Sequence, residues 1–243
     1  MNLKKHIPNL FTLGNLFCGT LATMAAVERN YKAAALLVVI GIIFDFFDGF
    51  LARILKVQGE LGKQLDSLAD MVTSGVVPGI LMFRFYEETI QHGDTDLSAM
   101  GILMAFSCFL LTLAAGYRLA KFNIDTRQSE SFIGLPTPAM SLFVISLPII
   151  YEYTTIEFVK NLVFNNYFLI SVSIILSVLM NVNIRLFSLK FKKFGFRENI
   201  MKYILLFTSL ILIITLQYLA VPLIIVLYVL LSILQNTSNK SSS

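Results

Sequence analysis

Long apolar runs alternate with short polar breaks along the whole chain, and each run has helical length. Eight are read from the pattern, at about 10–27, 33–54, 66–86, 98–119, 138–156, 167–187, 202–218 and 220–235. A hydrocarbon core of about 30 Å needs ~20 residues of helix, so each run is a candidate span. Pro148 interrupts the fifth and almost nothing separates the last two, so six or seven spans also fit. The ten-residue alternation of an outer-membrane barrel is absent. The pattern therefore predicts an all-α fold, a polytopic transmembrane helical bundle forming one domain over 1–235 with a disordered polar tail at 236–243. The opening "MNLKKHIPN" predicts a short interfacial helix that stops at Pro8.

Composition agrees. Of the 243 residues, 56% are hydrophobic and 14% charged, and the mean hydropathy is +0.77. A water-facing surface needs about 25% charged residues, so a soluble domain is excluded. Basic residues set the orientation. With eight spans and the N-terminus inside, only Arg29, Lys32, Arg84 and Lys160 of the 19 Lys and Arg fall outside. Both termini are thus expected on the cytoplasmic side of the cell membrane. The basic stretch "RLFSLKFKKFGFRENIMK" reads as a topology signal attracted to anionic headgroups of membrane lipids, not as a nucleic-acid patch. Cys18 and Cys108 stand alone on apolar helices and read as core residues, and His6 and His92 have no second ligand nearby.

One polar feature resists this simple picture. Asp45, Asp48, Asp66 and Asp70 lie in or at the ends of apolar runs, where a carboxylate costs roughly 2.5–3.5 kcal/mol on insertion scales. Residues three, four and seven apart share a helix face. Asp45, Asp48, Gly49 and Ala52 therefore stripe the second run, while Gly62, Asp66, Asp70 and Thr73 stripe the third. With Arg53 as the inner boundary, Asp45 lies about 12 Å deep at 1.5 Å per residue. The turn "ILKVQGELGKQL" is short, so the two helices are antiparallel and their carboxylates converge just below the headgroups. Such a cluster must either take up protons or hold cations. Oxygen ligands without His or Cys suit Mg²⁺ or Mn²⁺, and two divalent ions would balance four carboxylates. Proton relays, a cation-coupled membrane carrier and structural Asp–Arg pairs use intramembrane carboxylates too, and charge alone leaves these open.

Spacing narrows the choice. Asp45-x2-Asp48-Gly49-x2-Ala52-Arg53-x8-Gly62-x3-Asp66-x3-Asp70 resembles the full motif of the CDP-alcohol phosphatidyltransferase family. That resemblance implies a six-helix membrane core, here with about two extra C-terminal spans, and a homodimer. It implies displacement of CMP from a CDP-linked lipid by an alcohol. Carried over by position, Asp45, Asp48, Asp66 and Asp70 become metal ligands and Asp70 also the catalytic base. Asp48, Gly49, Ala52, Arg53 and Gly62 would line the site for CDP-diacylglycerol, with Thr73 beside them.

The acceptor is read from two further stretches. "IPNLFTLGNLFCG" and "YRLAKFN…GLPTPA" resemble the membrane-integral, serine-accepting branch of the family, which implies L-serine as the second substrate. Arg118, Lys121 and Asn123, at the cytoplasmic end of the fourth run, are the candidate serine-binding residues. Lys121 stands where that branch has Arg, and Thr73-Ser74-Gly75 where it has Ser-Phe-Gly. A lysine meets a carboxylate as a point charge, without the two-pronged geometry of a guanidinium. Glycerol 3-phosphate would also suit two cations, so it stays open as an acceptor.

Overall fold

The computed structural model describes residues 6–92, 99–124, 132–187, 195 and 199–240. The chain is a helical bundle. Helix α1 (His6–Val27) and α2 (Tyr31–Ile54) form an antiparallel pair across the turn Glu28–Asn30, and the Asn30 side chain caps α2 by accepting from the Ala33 N–H at 3.2 Å. Helix α3 (Glu60–Asp70) passes through one wide π-helical stretch, Met71–Val76, into α4 (Val77–His92). Next come α5 (Ala99–Ala105), a 3₁₀ turn (Phe106–Phe109) and α6 (Leu110–Ile124). The rest comprises α7 (Thr137–Tyr153), α8 (Glu157–Val163), α9 (Asn166–Asn181), α10 (Ile200–Leu216) and α11 (Ala220–Lys240). One small pairing interrupts the helices: β1 (Phe132–Ile133) lies antiparallel to β2 (Arg185–Leu186), with Ile133 opposite Arg185.

Among the described residues, five helical stretches are long and apolar enough to cross a membrane: His6–Val27, Tyr31–Ile54, Glu60–Gln91, Met100–Ile124 and Ile200–Asn236. The bent pair α8–α9, kinked by 66°, makes six if counted as one. Each of the eight apolar runs coincides with a helix or a broken helical stretch, and the last two runs are α10 and α11, parted by a 3₁₀ turn at Gln217–Leu219. Helices α7 and α9, with 17 and 16 residues, are short for a span by themselves. Two proline readings change. Pro8 sits in the first turn of α1, where its missing N–H costs nothing, so the chain does not stop there. Pro148 lies buried inside α7, which continues to Tyr153. Helix α11 runs to Lys240, into the tail expected to be disordered. Most of the basic stretch 185–202 lies outside the described residues.

The core is built where α4, α6, α7 and α9 meet. Leu81, Phe85, Tyr86, Leu111, Met140 and Leu169 are fully buried there. Cys18 and Cys108 are buried free thiols, as expected. The opposite outer surface is apolar, as a lipid-facing one must be, with Leu10, Phe17, Leu36, Phe46, Leu113 and Phe207 exposed. The Glu60–Gln91 stretch has 32 residues, about 48 Å at 1.5 Å each, which exceeds a hydrocarbon core of about 30 Å. Its polar end is α3, "ELGKQLDSLAD". The second pair of aspartates therefore belongs at a membrane boundary.

Candidate active site

The pairing of α1 with α2, and of both with α3 and the π-stretch, determines the site. Two glycines allow this approach. A Cβ on Gly19 would run into the Thr73 hydroxyl and lie 3.0 Å from the Thr73 backbone N, and one on Gly41 would lie 2.8 Å from Thr73 Cγ2. Thr73 is locked between them, fully buried, with its hydroxyl donating to the Asn15 carbonyl at 3.1 Å. The sequence placed Thr73 beside the lipid nucleotide; the structure places it in the joint between helices. The Thr112 hydroxyl donates to the Gly75 carbonyl at 2.9 Å and so satisfies one acceptor of the widened turn.

Around that joint the four aspartates interact with one another electrostatically, three of them at the closest quarters. Asp45, Asp48 and Asp66 each present an oxygen within 4.8 Å of the other two. Asp70 is outside this group; its Oδ1 accepts from Asn15 Nδ2 at 3.1 Å. Buried Asp48 accepts from the Thr12 hydroxyl at 2.6 Å. Sequence reasoning missed Thr12 and Asn15. Both lie in the "IPNLFTLGNLFCG" stretch, and a hydroxyl or amide inside a helix carries no spacing signal of its own.

The electrostatics call for a cation or a proton. Two ionised carboxylates 4.8 Å apart repel by about 3.5 kcal/mol at an effective dielectric of 20, and the group is relieved only by taking up protons or holding a cation. Among the described residues no Lys or Arg forms an ion pair with these carboxylates. The ion pairs that do form, such as Arg29–Glu87 at 3.5 Å and Lys32–Glu152 at 2.6 Å, join residues of the α1–α2 turn region to α4 and α7. Asp66 Oδ1 is buried without a hydrogen-bond partner, so a lone pair is left for a ligand to meet. An all-oxygen group with an unpaired buried acceptor fits a hard divalent ion.

The substrate side is open. A Cβ on Gly49 would find only Arg53 Nη2, at 3.8 Å, and one on Gly62 only Asn9 Oδ1, at 3.4 Å. Arg53 is exposed and Ala52 half-buried beside them. These four leave room against the backbone next to the carboxylates.

At the end of α6, Arg118 is buried, interacts electrostatically with Asp70, and leaves its Nε unpaired. It shares a small cavity with Lys121, Phe122, Ile133, Met180 and Asn181. Asn181 Nδ2 donates to the Ala114 and Ser177 carbonyls at 3.1 and 3.2 Å, which fixes the amide, and its buried Oδ1 is unpaired. Asn123, assigned from sequence to the acceptor, is occupied otherwise. Its amide meets the Ser67 hydroxyl, 2.9 Å from Nδ2, and its carbonyl accepts from Lys63 Nζ at 2.7 Å. It clasps α6 to α3. Gly134, next to the lining residue Ile133, has φ +74°; its N–H donates to the Ile184 carbonyl at 2.9 Å, and a Cβ would strike the Met180 carbonyl.

A membrane helical bundle with three grouped carboxylates beside two glycines open to approach fits one class, and the sequence comparison agrees with it. The family model described as CDP-alcohol phosphatidyltransferase matches residues 5–191, and the chain belongs to that family of phosphotransferases. Enzymes of this family use a divalent metal, and the three-carboxylate group is where this chain offers a place for one. The chain is 32% identical over 217 residues to a CDP-diacylglycerol–serine O-phosphatidyltransferase of Helicobacter pylori, covering 88% of this chain and 84% of that protein. It is 36% identical over 147 residues to the protein of that name in Bacillus subtilis, covering 60% and 77%. An archaetidylserine synthase of Methanothermobacter thermautotrophicus is 29% identical over 143 residues, covering 58% and 56%.

Proposed function

We propose that this protein transfers the phosphatidyl group of CDP-diacylglycerol to the hydroxyl of L-serine and releases CMP. The observation that carries the chemistry is the convergence of the four aspartates, with three grouped for a cation and the fourth next to them, held by Asn15 and beside a buried arginine. The serine acceptor is supported by the relative that spans 88% of the chain.

Asp45, Asp48 and Asp66 would hold Mg²⁺ or Mn²⁺, with two ions balancing the four carboxylates when Asp70 is counted. When bound, the metal neutralises the pyrophosphate and the departing CMP. Gly49, Ala52 and Gly62 let the cytidine diphosphate lie against backbone, and Arg53 meets phosphate oxygens at the mouth. Asp70 takes the proton of the serine hydroxyl as its oxygen bonds to the lipid-side phosphorus and the bond from that phosphorus to the CMP oxygen breaks. A base so placed contributes roughly 10²–10⁴-fold. Arg118 and Lys121 receive the serine carboxylate. Asn181 Oδ1, fixed and unpaired in the same cavity, is an acceptor for the ammonium. The site and both termini lie on the cytoplasmic side of the cell membrane, where serine and CDP-diacylglycerol meet.

The test is CMP release from CDP-diacylglycerol in detergent micelles, with serine, glycerol 3-phosphate or no acceptor. Release dependent on serine, lost in EDTA and restored by Mn²⁺ or Mg²⁺, is expected. Release with glycerol 3-phosphate alone refutes the acceptor assignment.

A further inference from the structure

We infer that Asn15 is a positioning residue for Asp70. This rests on the reading of Asp70 as proton acceptor.

Asn15 is fully buried on α1. Its carbonyl accepts from Thr73, one turn beyond Asp70, while its Nδ2 donates to Asp70 Oδ1. The same residue thus grips the helix twice, once through backbone and once through side chain. The amide has one orientation. Turned over, it would set its oxygen against a carboxylate oxygen, two acceptors with no proton between them. In the observed orientation Oδ1 lies 2.9 Å from where a Gly41 Cβ would stand, without a partner. The donated bond occupies Asp70 Oδ1 and fixes the carboxylate plane, leaving Oδ2 free for an incoming hydroxyl. One turn earlier, Thr12 holds Asp48 in the same manner. Helix α1 therefore carries two donors at i and i+3, one serving the grouped carboxylates and one the fourth. Small misplacements of a reacting group cost large factors, up to about a hundredfold for 1 Å.

The test uses Asn15→Leu in the full-length protein, a side chain of similar shape without the N–H donor. Three quantities are read: kcat and KM for CMP release, the Mn²⁺ dissociation constant, and the effect of Asn15→Leu in an Asp70→Asn background. The expected result is a kcat lowered about 10- to 100-fold, with KM for CDP-diacylglycerol and Mn²⁺ affinity within about threefold of wild type. In the Asp70→Asn background the second substitution should cost nothing more, because Asn15 acts through Asp70. Mn²⁺ affinity falling in step with kcat, losses that multiply in the double variant, or an unchanged kcat would each overturn the inference. Should Asn15→Leu not fold, Asn15→Ser, whose hydroxyl stops short of Asp70, gives the same three readouts. If wild type uses glycerol 3-phosphate instead of serine, the acceptor assignment fails while the Asn15 comparison is read with that substrate.

Discussion

Neutralising Asp66 should move stability in opposite directions with and without metal. In EDTA, wild type carries three carboxylates within 4.8 Å of one another. Asp66→Asn keeps the side-chain shape and removes one charge from the group. Proton uptake limits the penalty in the metal-free protein to about 4 kcal/mol per carboxylate at pH 7, and a stabilisation on the order of 1.4 kcal/mol is expected, or about 3–6 °C in Tm for a chain of this size. With Mn²⁺ at a hundred times its Kd, wild type gains about 2.7 kcal/mol, which is ~5–10 °C by the same conversion. The variant should lose most of that gain. The two melting curves therefore change order between chelator and metal. The protein supplies its own probe: it has no Trp, and its two described free thiols, Cys18 and Cys108, are buried, so a thiol-reactive dye reports unfolding. A variant that melts below wild type by the same interval in EDTA and in Mn²⁺ would show that Asp66 is held by the protein itself, and the cation-site argument would fail.

Three further outcomes follow from the packing. Gly19→Ala pushes a methyl onto Thr73, whose backbone cannot move aside; a loss of about 1–3 kcal/mol is expected by denaturation, with kcat falling as the α1 grip on Asp70 loosens. Gly134→Ala meets both a positive φ and the Met180 carbonyl, so the serine KM should rise several-fold while that for CDP-diacylglycerol stays put, as steady-state kinetics will show. Lys121→Ala and Arg118→Lys should likewise raise KM for serine far more than for the lipid nucleotide. Equal changes in both constants would move the acceptor pocket elsewhere.

The aspartates were legible because their signal is local. Charge inside an apolar run is conspicuous, and intervals of three and four fix a shared face without tertiary knowledge. Thr12 and Asn15 were illegible for the converse reason. Their partners lie 36 and 55 residues away, and nothing in their own neighbourhood distinguishes them from ordinary helix residues. Asn123 was read by its position at the end of the fourth run, but position along a helix does not say which neighbour claims an amide first, and Ser67 does. Asn181, on a helix with no motif, became visible only as an unpaired buried atom. The apolar runs were legible as helices but their internal breaks were not: a hydropathy window cannot see the 66° bend before α9 or the π-helical stretch inside the third run.

The π-helical stretch at Met71–Val76 acts as a phase shifter. Each residue of an α-helix advances the side chains by about 100°, and a π-turn absorbs one residue beyond the regular count. Upstream, Asp66 and Asp70 are indexed to α1 and α2; downstream, Leu81, Phe85 and Tyr86 are indexed to the core. Deleting one residue between Met71 and Val76 would leave hydropathy and span length almost unchanged. It would nevertheless turn one half against the other by about a quarter of a revolution, so that a correctly aimed Asp70 and a correctly buried Phe85 could no longer coexist. Chain length in this short stretch is therefore under a tighter constraint than residue identity, and variation among working versions of the protein should appear there as substitutions and not as gaps.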